Sequence, residues 1–136
     1  MARKSALGNA ARSLGETRDQ LAGDPIDRAY LARFTLGNSA LESEVLQLFA
    51  DQVPIYVQAL RDARVRKAWR EAAHTIKGSA SAVGAWRLAR FAEMAERVDV
   101  EAHMTLSEGH RDEAIAAVAT AGEEACRYIA RLLAAT

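Results

Sequence analysis

The sequence predicts an all-α fold, an antiparallel four-helix bundle with a short accessory helix on its N-terminal side. Three observations predict it. Half of the 136 residues are apolar, yet only two prolines and eight glycines interrupt them, and with abundant alanine this profile favours helix over sheet. Apolar residues recur at i+3 and i+4 in four long stretches. Short connections join those stretches, which suits antiparallel neighbours. A chain of this length has room for one compact core, assigned to residues 24–136, with residues 1–23 expected as a flexible or variable N-terminal arm.

Taken in order, the arm has Ala10, Ala11, Leu14 and Leu21 as hints of helix, broken by Gly8, Gly15 and Gly23. The first committed element starts at Asp24-Pro25-Ile26-Asp27. Here Asp24 is the expected cap, Pro25 suits the first helical position, and Asp27 complements the positive helix end. Ile26, Tyr30 and Phe34 form the apolar stripe of a short lid helix that ends near Gly37. A long helix follows from a Ser39/Glu42 capping box. Its expected buried face is Leu41, Val45, Leu48, Phe49, Gln52, Val53, Tyr56, Leu60 and Ala63, with Pro54 producing a kink and not a stop. The next turn, Arg64-Val65-Arg66-Lys67, contains no glycine, proline or good cap. Arg61, Arg64, Arg66, Lys67 and Arg70 concentrate positive charge there, either as a solvated turn or as a surface that steers an acidic partner.

The stretch Ala73-His74-Thr75-Ile76-Lys77-Gly78-Ser79-Ala80-Ser81-Ala82-Val83-Gly84 carries the chemistry. At about 100° per residue, Val65, Trp69, Ala72, Ala73, Ile76, Ala80 and Val83 share one apolar sector. His74 falls on the opposite side, with Lys77, Gly78 and Ser81 around it and Arg70 and Lys67 continuing the same line. Gly78 inside a helix costs roughly 0.5–1 kcal/mol relative to Ala. Its benefit is clearance beside the ring. Lys77 sits where an ammonium meets an anion carried on the imidazole, and a ring-nitrogen lone pair is a nucleophile. By residue type alone a surface histidine on a helix is a polar surface residue and nothing more. The neighbours are what set this one apart.

Beyond Gly84 a helix starts near Ala85, with Leu88, Phe91, Ala92, Ala95 and Val98 buried and Arg87, Arg90, Glu93, Glu96 and Arg97 outside. Glu96 is expected to stay away from the His74 face, and Trp86 to pack at a helix end. Residues 99–109 read as a connection, with Ser107 capping the last helix. There Ile115, Val118, Ala119, Gly122, Ala125, Cys126, Ile129 and Leu132 or Leu133 form the buried stripe. Cys126 on that stripe reads as a small buried hydrophobe.

His74-x-x-Lys77-Gly78-x-x-x-x-x-Gly84, preceded by Ala73, resembles the signature of histidine-containing phosphotransfer (HPt) domains, the four-helix relays of multistep two-component signalling. The resemblance runs from about Ile26 to the C-terminus, and it suggests that Pro54, at a place where such domains often carry proline, is architectural. The family more often has a Gly-Asp-like pair where Arg64–Lys67 stands, a departure that leaves the helix boundary open but not the placement of His74. The resemblance implies that His74 is the phosphoacceptor, that Lys77 stabilises phosphoryl charge, and that Gly78 provides clearance, with Lys67, Arg70, Ser81 and Gly84 at the docking surface. The implied partners are response-regulator receiver domains and a hybrid histidine kinase. The implied role is that of a phosphocarrier, not an enzyme, with no cofactor of its own and Mg²⁺ held by the receiver.

Composition narrows the alternatives. Eighteen basic residues balance eighteen acidic ones, so no global charge points to nucleic acid or an anionic membrane. Lone Cys126 fits a reducing compartment. No apolar run approaches the roughly 20 residues of a membrane span. Met1-Ala2-Arg3-Lys4 lacks the apolar segment of a secretory signal. The expectation is a cytoplasmic monomer, since no exposed apolar seam is evident. No Walker-type glycine loop occurs, so phosphorylation from ATP is not expected. A sensor-kinase phosphoacceptor helix pair would place an acidic residue after the histidine and a proline nearby, and here Thr75 and Ile76 follow. A metal or haem bundle would need His74, His103 and His110 to converge. The alternative reading is a helical bundle that keeps the fold and only binds proteins, against which the Lys77-Gly78 pair beside an exposed histidine argues.

Overall fold

The computed structural model describes residues 23–98 and 104–135. Five helices account for nearly all of them: α1 (Arg28–Thr35), α2 (Ser39–Asp62), α3 (Arg66–Val83), α4 (Trp86–Glu96) and α5 (Met104–Ala134), with no strand among the described residues. Helix α2 packs on α3 and α5, and α4 packs on the same two, which closes a four-membered ring; α1 lies across α2 and α3. Contacts along α2 and α5 run in opposite order. The Cys126 thiol meets the Ala50 carbonyl at 3.6 Å, while Arg111, further back on α5, reaches the carbonyls of Arg61 and Ala63. This is the expected antiparallel four-helix bundle with a short accessory helix. No helix among the described residues is long and apolar enough to cross a membrane.

The core is aliphatic and alanine-rich. Trp69, Leu46, Leu60, Ile76, Val118 and Ile129 are its largest fully buried members, together with Ile26 and Leu31 from the α1 segment. Ala73, Ala80, Ala92, Ala95 and Ala125 are also buried. These small residues let α3, α4 and α5 approach closely around the Trp69 ring. The Trp69 indole donates to the Ala95 carbonyl at 2.7 Å, which satisfies the one polar atom the ring takes into the core.

Several local expectations are corrected. The α1 cap is Asp27, not Asp24: its carboxylate accepts from the Tyr30 amide at 3.0 Å, and Pro25 lies outside the helix. Leu31 and Thr35 are the buried α1 residues, whereas Phe34 is 63% exposed and stacks edge-on against Tyr30. Ile26 is buried but precedes the helix, so it does not set the inward face of α1. Helix α2 is capped by Asn38, which accepts from the Leu41 amide. Ser39 is therefore already helical, and Glu42 pairs with Arg28 at 3.3 Å instead of closing a box.

The buried α2 residues are Leu46, Phe49, Val53, Val57 and Leu60, followed by Ala63. Leu46 and Val57 replace Leu41 and Leu48, which face outward. Helix α2 carries two apolar stripes, and only one of them meets the core. The other, with Leu41, Leu48 and Ile55 exposed, corrects the expectation of no exposed apolar seam. Pro54 lies inside the continuous helix. Val65 is the uncapped N-cap of α3 and is 53% exposed, so it does not join the core. Ala89 and Ala121 join the buried faces of α4 and α5, while Phe91 and Val98 are only partly buried. Helix α5 begins at Met104, so Ser107 lies within it and does not cap it. Residues 1–22, including most of the N-terminal arm, lie outside the described residues, as does His103.

The weakly marked α2–α3 turn is held from a distance. Arg111 of α5 donates to the carbonyls of Arg61 and Ala63, and its guanidinium lies 5.7 Å from the Trp69 ring centroid. A cation at the C-terminal end of α2 also complements the helix dipole.

Candidate functional site

His74 sits on α3 with its side chain 72% exposed, turned away from the face formed by Trp69, Ala73, Ile76, Ala80 and Val83. One turn on, Gly78 is exposed, and a β-carbon built there would meet nothing within 4 Å. The ring therefore has open space on its Gly78 side. Among the residues expected around it, Lys77 is 37% exposed, Arg70 and Lys67 are exposed, and Ser81 is half-buried. Lys67 reaches Glu71 at 4.0 Å along the same helix.

Two carboxylates from α4 complete the site. Glu96 Oε1 lies 3.5 Å from His74 Nδ1, contrary to the expectation that it would stay clear. That oxygen is buried and has no hydrogen bond. At this separation the contact is an electrostatic one, short of hydrogen-bond geometry. Glu93 Oε2 lies 3.4 Å from Lys77 Nζ, and its other oxygen accepts from Arg90 at 3.0 Å and faces Arg97 at 3.5 Å. The lysine is thus held beside the histidine by an acidic anchor and does not wave freely in solvent. These are partly exposed pairs whose effect is on placement more than on stability.

The placement follows from the turn. Helix α3 ends at Gly84, whose φ of 77° is left-handed, with its N–H returning to the carbonyls of Ala80 and Ser81. Glycine adopts this conformation without penalty. Helix α4 then runs back along α3, so residues equally far from the Gly84–Ala85 turn become neighbours. Lys77 meets Glu93 and His74 meets Glu96 on that rule, while the longer Trp69 side chain reaches Ala95 from further back on α3 and ties the two helices together.

Gly84 itself is buried, and a β-carbon there would lie 2.9 Å from the Asp27 carbonyl oxygen. Its burial takes it off the exposed face expected for docking, and its left-handed backbone shapes the turn. The Asp27 amide donates to the Gly84 carbonyl at 2.9 Å. The Asp27 carboxylate also accepts from the Trp86 indole at 3.0 Å, and the Trp86 ring stacks edge-on against Tyr30. Trp86 therefore packs at a helix end, as expected.

Outside this face, Cys126 is half-buried on α5. Burial raises its thiol pKa above the usual 9.0, and the nearby charges of Asp51 and Glu123 push the same way. His110 is exposed on α5. No group of three or more His, Cys, Asp or Glu side chains among the described residues could hold a metal ion.

The Hpt domain family model matches residues 44–134, from the first turns of α2 to the end of α5. No curated protein and no solved structure gives a match. Hpt domains work with receiver domains and histidine kinases, and carry phosphoryl groups without a kinase activity of their own. A match spanning well over half the sequence and all four helices of the ring shows that this chain belongs to the Hpt domain family, with a phosphotransfer role in two-component phosphorelays.

Proposed function

We propose that His74 is the phosphoacceptor, taking a phosphoryl group from a receiver-domain aspartate and passing it to the aspartate of a second receiver. The observation that carries this reading is the exposed His74 ring on the helix face cleared by Gly78. Nδ1 is turned toward the Glu96 carboxylate. A proton held at Nδ1 leaves the Nε2 lone pair pointing outward as the nucleophile. Glu96 is a positioning residue in this scheme.

In the transfer, Nε2 attacks phosphorus in line. The N–P bond forms as the P–O bond of the aspartyl phosphate breaks, and the bonding pair leaves with the aspartate carboxylate. The Nδ1 proton stays in place. The return step to a second aspartate is the same exchange reversed. Phosphoryl transfer depends mostly on positioning and charge stabilisation. This chain accordingly supplies a nucleophile, clearance at Gly78, and the Lys77 ammonium to balance phosphoryl charge. Mg²⁺ and its acidic ligands belong to the receiver, and Lys67 and Arg70 lie where they attract that acidic surface. In this reading the chain is a phosphocarrier in the cytoplasm, served by a hybrid histidine kinase.

The test is incubation with phosphorylated receiver domains, followed by measurement of acid-labile label on this chain. Label should appear on the native protein and be lost in His74→Gln with its helix content intact. Equal labelling of both would remove the assignment.

A further inference from the structure

Two groups compete for the Lys77 ammonium. In the unphosphorylated chain it pairs with Glu93 of α4, Nζ to Oε2 at 3.4 Å, and the two side chains are only 37% and 33% exposed. After transfer it must balance the charge of a phosphoryl group on His74. The two positions lie on different sides of the ring. Nδ1 faces Glu96 of α4 at 3.5 Å, so Nε2, across the imidazole, points away from α4. Glu93 holds the ammonium toward α4, on the Nδ1 side. To reach phosphoryl oxygens on Nε2, Lys77 has to swing outward, a motion its flexible stem permits.

Glu93 can release the lysine without being stranded. Its two oxygens are used differently: Oε2 faces Lys77, while Oε1 accepts from Arg90 at 3.0 Å and faces Arg97 at 3.5 Å. Both arginines belong to the same stretch, at i−3 and i+4 on α4 and its C-cap. When Lys77 leaves, the carboxylate keeps both guanidinium partners, so no unpaired charge remains on this partly buried surface. The same two arginines hold the carboxylate in place for the lysine to return.

We propose that Glu93 sets how readily this chain gives up its phosphoryl group, by competing with the phosphoryl oxygens for the Lys77 ammonium. The inference rests on the assignment of His74 as phosphoacceptor. Glu93 is a positioning residue here and acts through Lys77. Linkage fixes the sign: a phosphoryl group that loosens the Lys77–Glu93 pair is destabilised by that pair to the same extent. A carrier that both takes and gives needs this balance, because a group held by a fully available lysine would be slower to move on. The size is that of one partly exposed ion pair, about two- to fivefold in the transfer equilibrium.

The test is the transfer equilibrium between a phosphorylated receiver domain and this chain, read as the acid-labile label on this chain against the label left on the receiver. Glu93→Gln should move it about two- to fivefold toward this chain, with the far-UV circular dichroism of the native protein. In a Lys77→Ala background the same substitution should have no effect. Glu124→Gln removes a carboxylate that pairs with Arg87 at 2.8 Å between α4 and α5, and should leave the native equilibrium. In the native chain, the Lys77 ε-methylene resonance should move on phosphorylation. The proposal is overturned if Glu93→Gln leaves the equilibrium in place or moves it toward the receiver, or if the lysine resonance stays fixed. A shift that persists without Lys77 would be plain repulsion between Glu93 and the phosphoryl group, and an equal shift in Glu124→Gln would be a general loss of negative charge; either also overturns it. Absence of label from the native chain is a separate result, which removes the His74 assignment and this proposal with it.

Discussion

Gly84→Ala should destabilise the bundle by about 1.5–3.5 kcal/mol, and the figure can be built from its surroundings. The backbone at residue 84 has φ 77°, and an L-residue with a β-carbon loses about 1–2 kcal/mol in that left-handed region. The new methyl would also lie 2.9 Å from the Asp27 carbonyl oxygen and 3.0 Å from the Asp27 β-carbon. Both are close to the backbone and cannot swing aside. The Asp27 segment must therefore move, which strains its amide bond to the Gly84 carbonyl, a further loss of roughly 0.5–1.5 kcal/mol. Gly78→Ala is the internal control. It has the same chemistry on the same helix, but with ordinary helical geometry and nothing within 4 Å of the new atom, so it should stabilise by about 0.5–1 kcal/mol. Urea unfolding followed by far-UV circular dichroism measures both, with m unchanged if only stability has moved. Opposite signs are expected. A Gly84→Ala midpoint at or above that of the native protein would refute the contact between the α3–α4 turn and the α1 cap.

Further outcomes concern the histidine face and the thiol. Gly78→Leu should block phosphoryl transfer from a receiver while leaving the melting temperature equal or higher; native transfer rates would show that the partner does not use that clearance. Lys77→Ala should slow transfer or shorten the phosphohistidine lifetime, read from loss of acid-labile label over time. No change in either would reduce Lys77 to the partner of Glu93. Cys126 should react more slowly with a disulfide reagent at pH 8 than an unhindered thiol, because its raised pKa leaves less thiolate there. Reaction at the rate of a free thiol would place it outside the packed α2–α5 seam.

The helices were legible because their core stripes are long and alanine-rich. Trp69, Ile76 and Ala80 fix the inward side of α3 with no competing apolar face, so His74 could be placed outward from spacing alone. Helix α2 was harder: Leu41, Leu48 and Ile55 share its surface with the true core residues Leu46 and Val57, and periodicity cannot say which of two stripes meets a core. Caps slipped at Asp27 and Asn38 because each neighbourhood offers more than one capping side chain. Glu96 and Glu93 were out of reach for a different reason. Their relation to His74 and Lys77 depends on how tightly Gly84 turns the chain, a fact of three-dimensional packing. The Arg111 anchor on the α2–α3 turn joins residues about fifty positions apart, with no local signal for it.

The most direct measurement is nuclear magnetic resonance of the phosphorylated chain, locating the nitrogen that bears phosphorus. The account predicts one phosphohistidine, at Nε2 of His74, with Nδ1 still protonated toward Glu96. Phosphorus on His110, or on Nδ1 of His74, would contradict it.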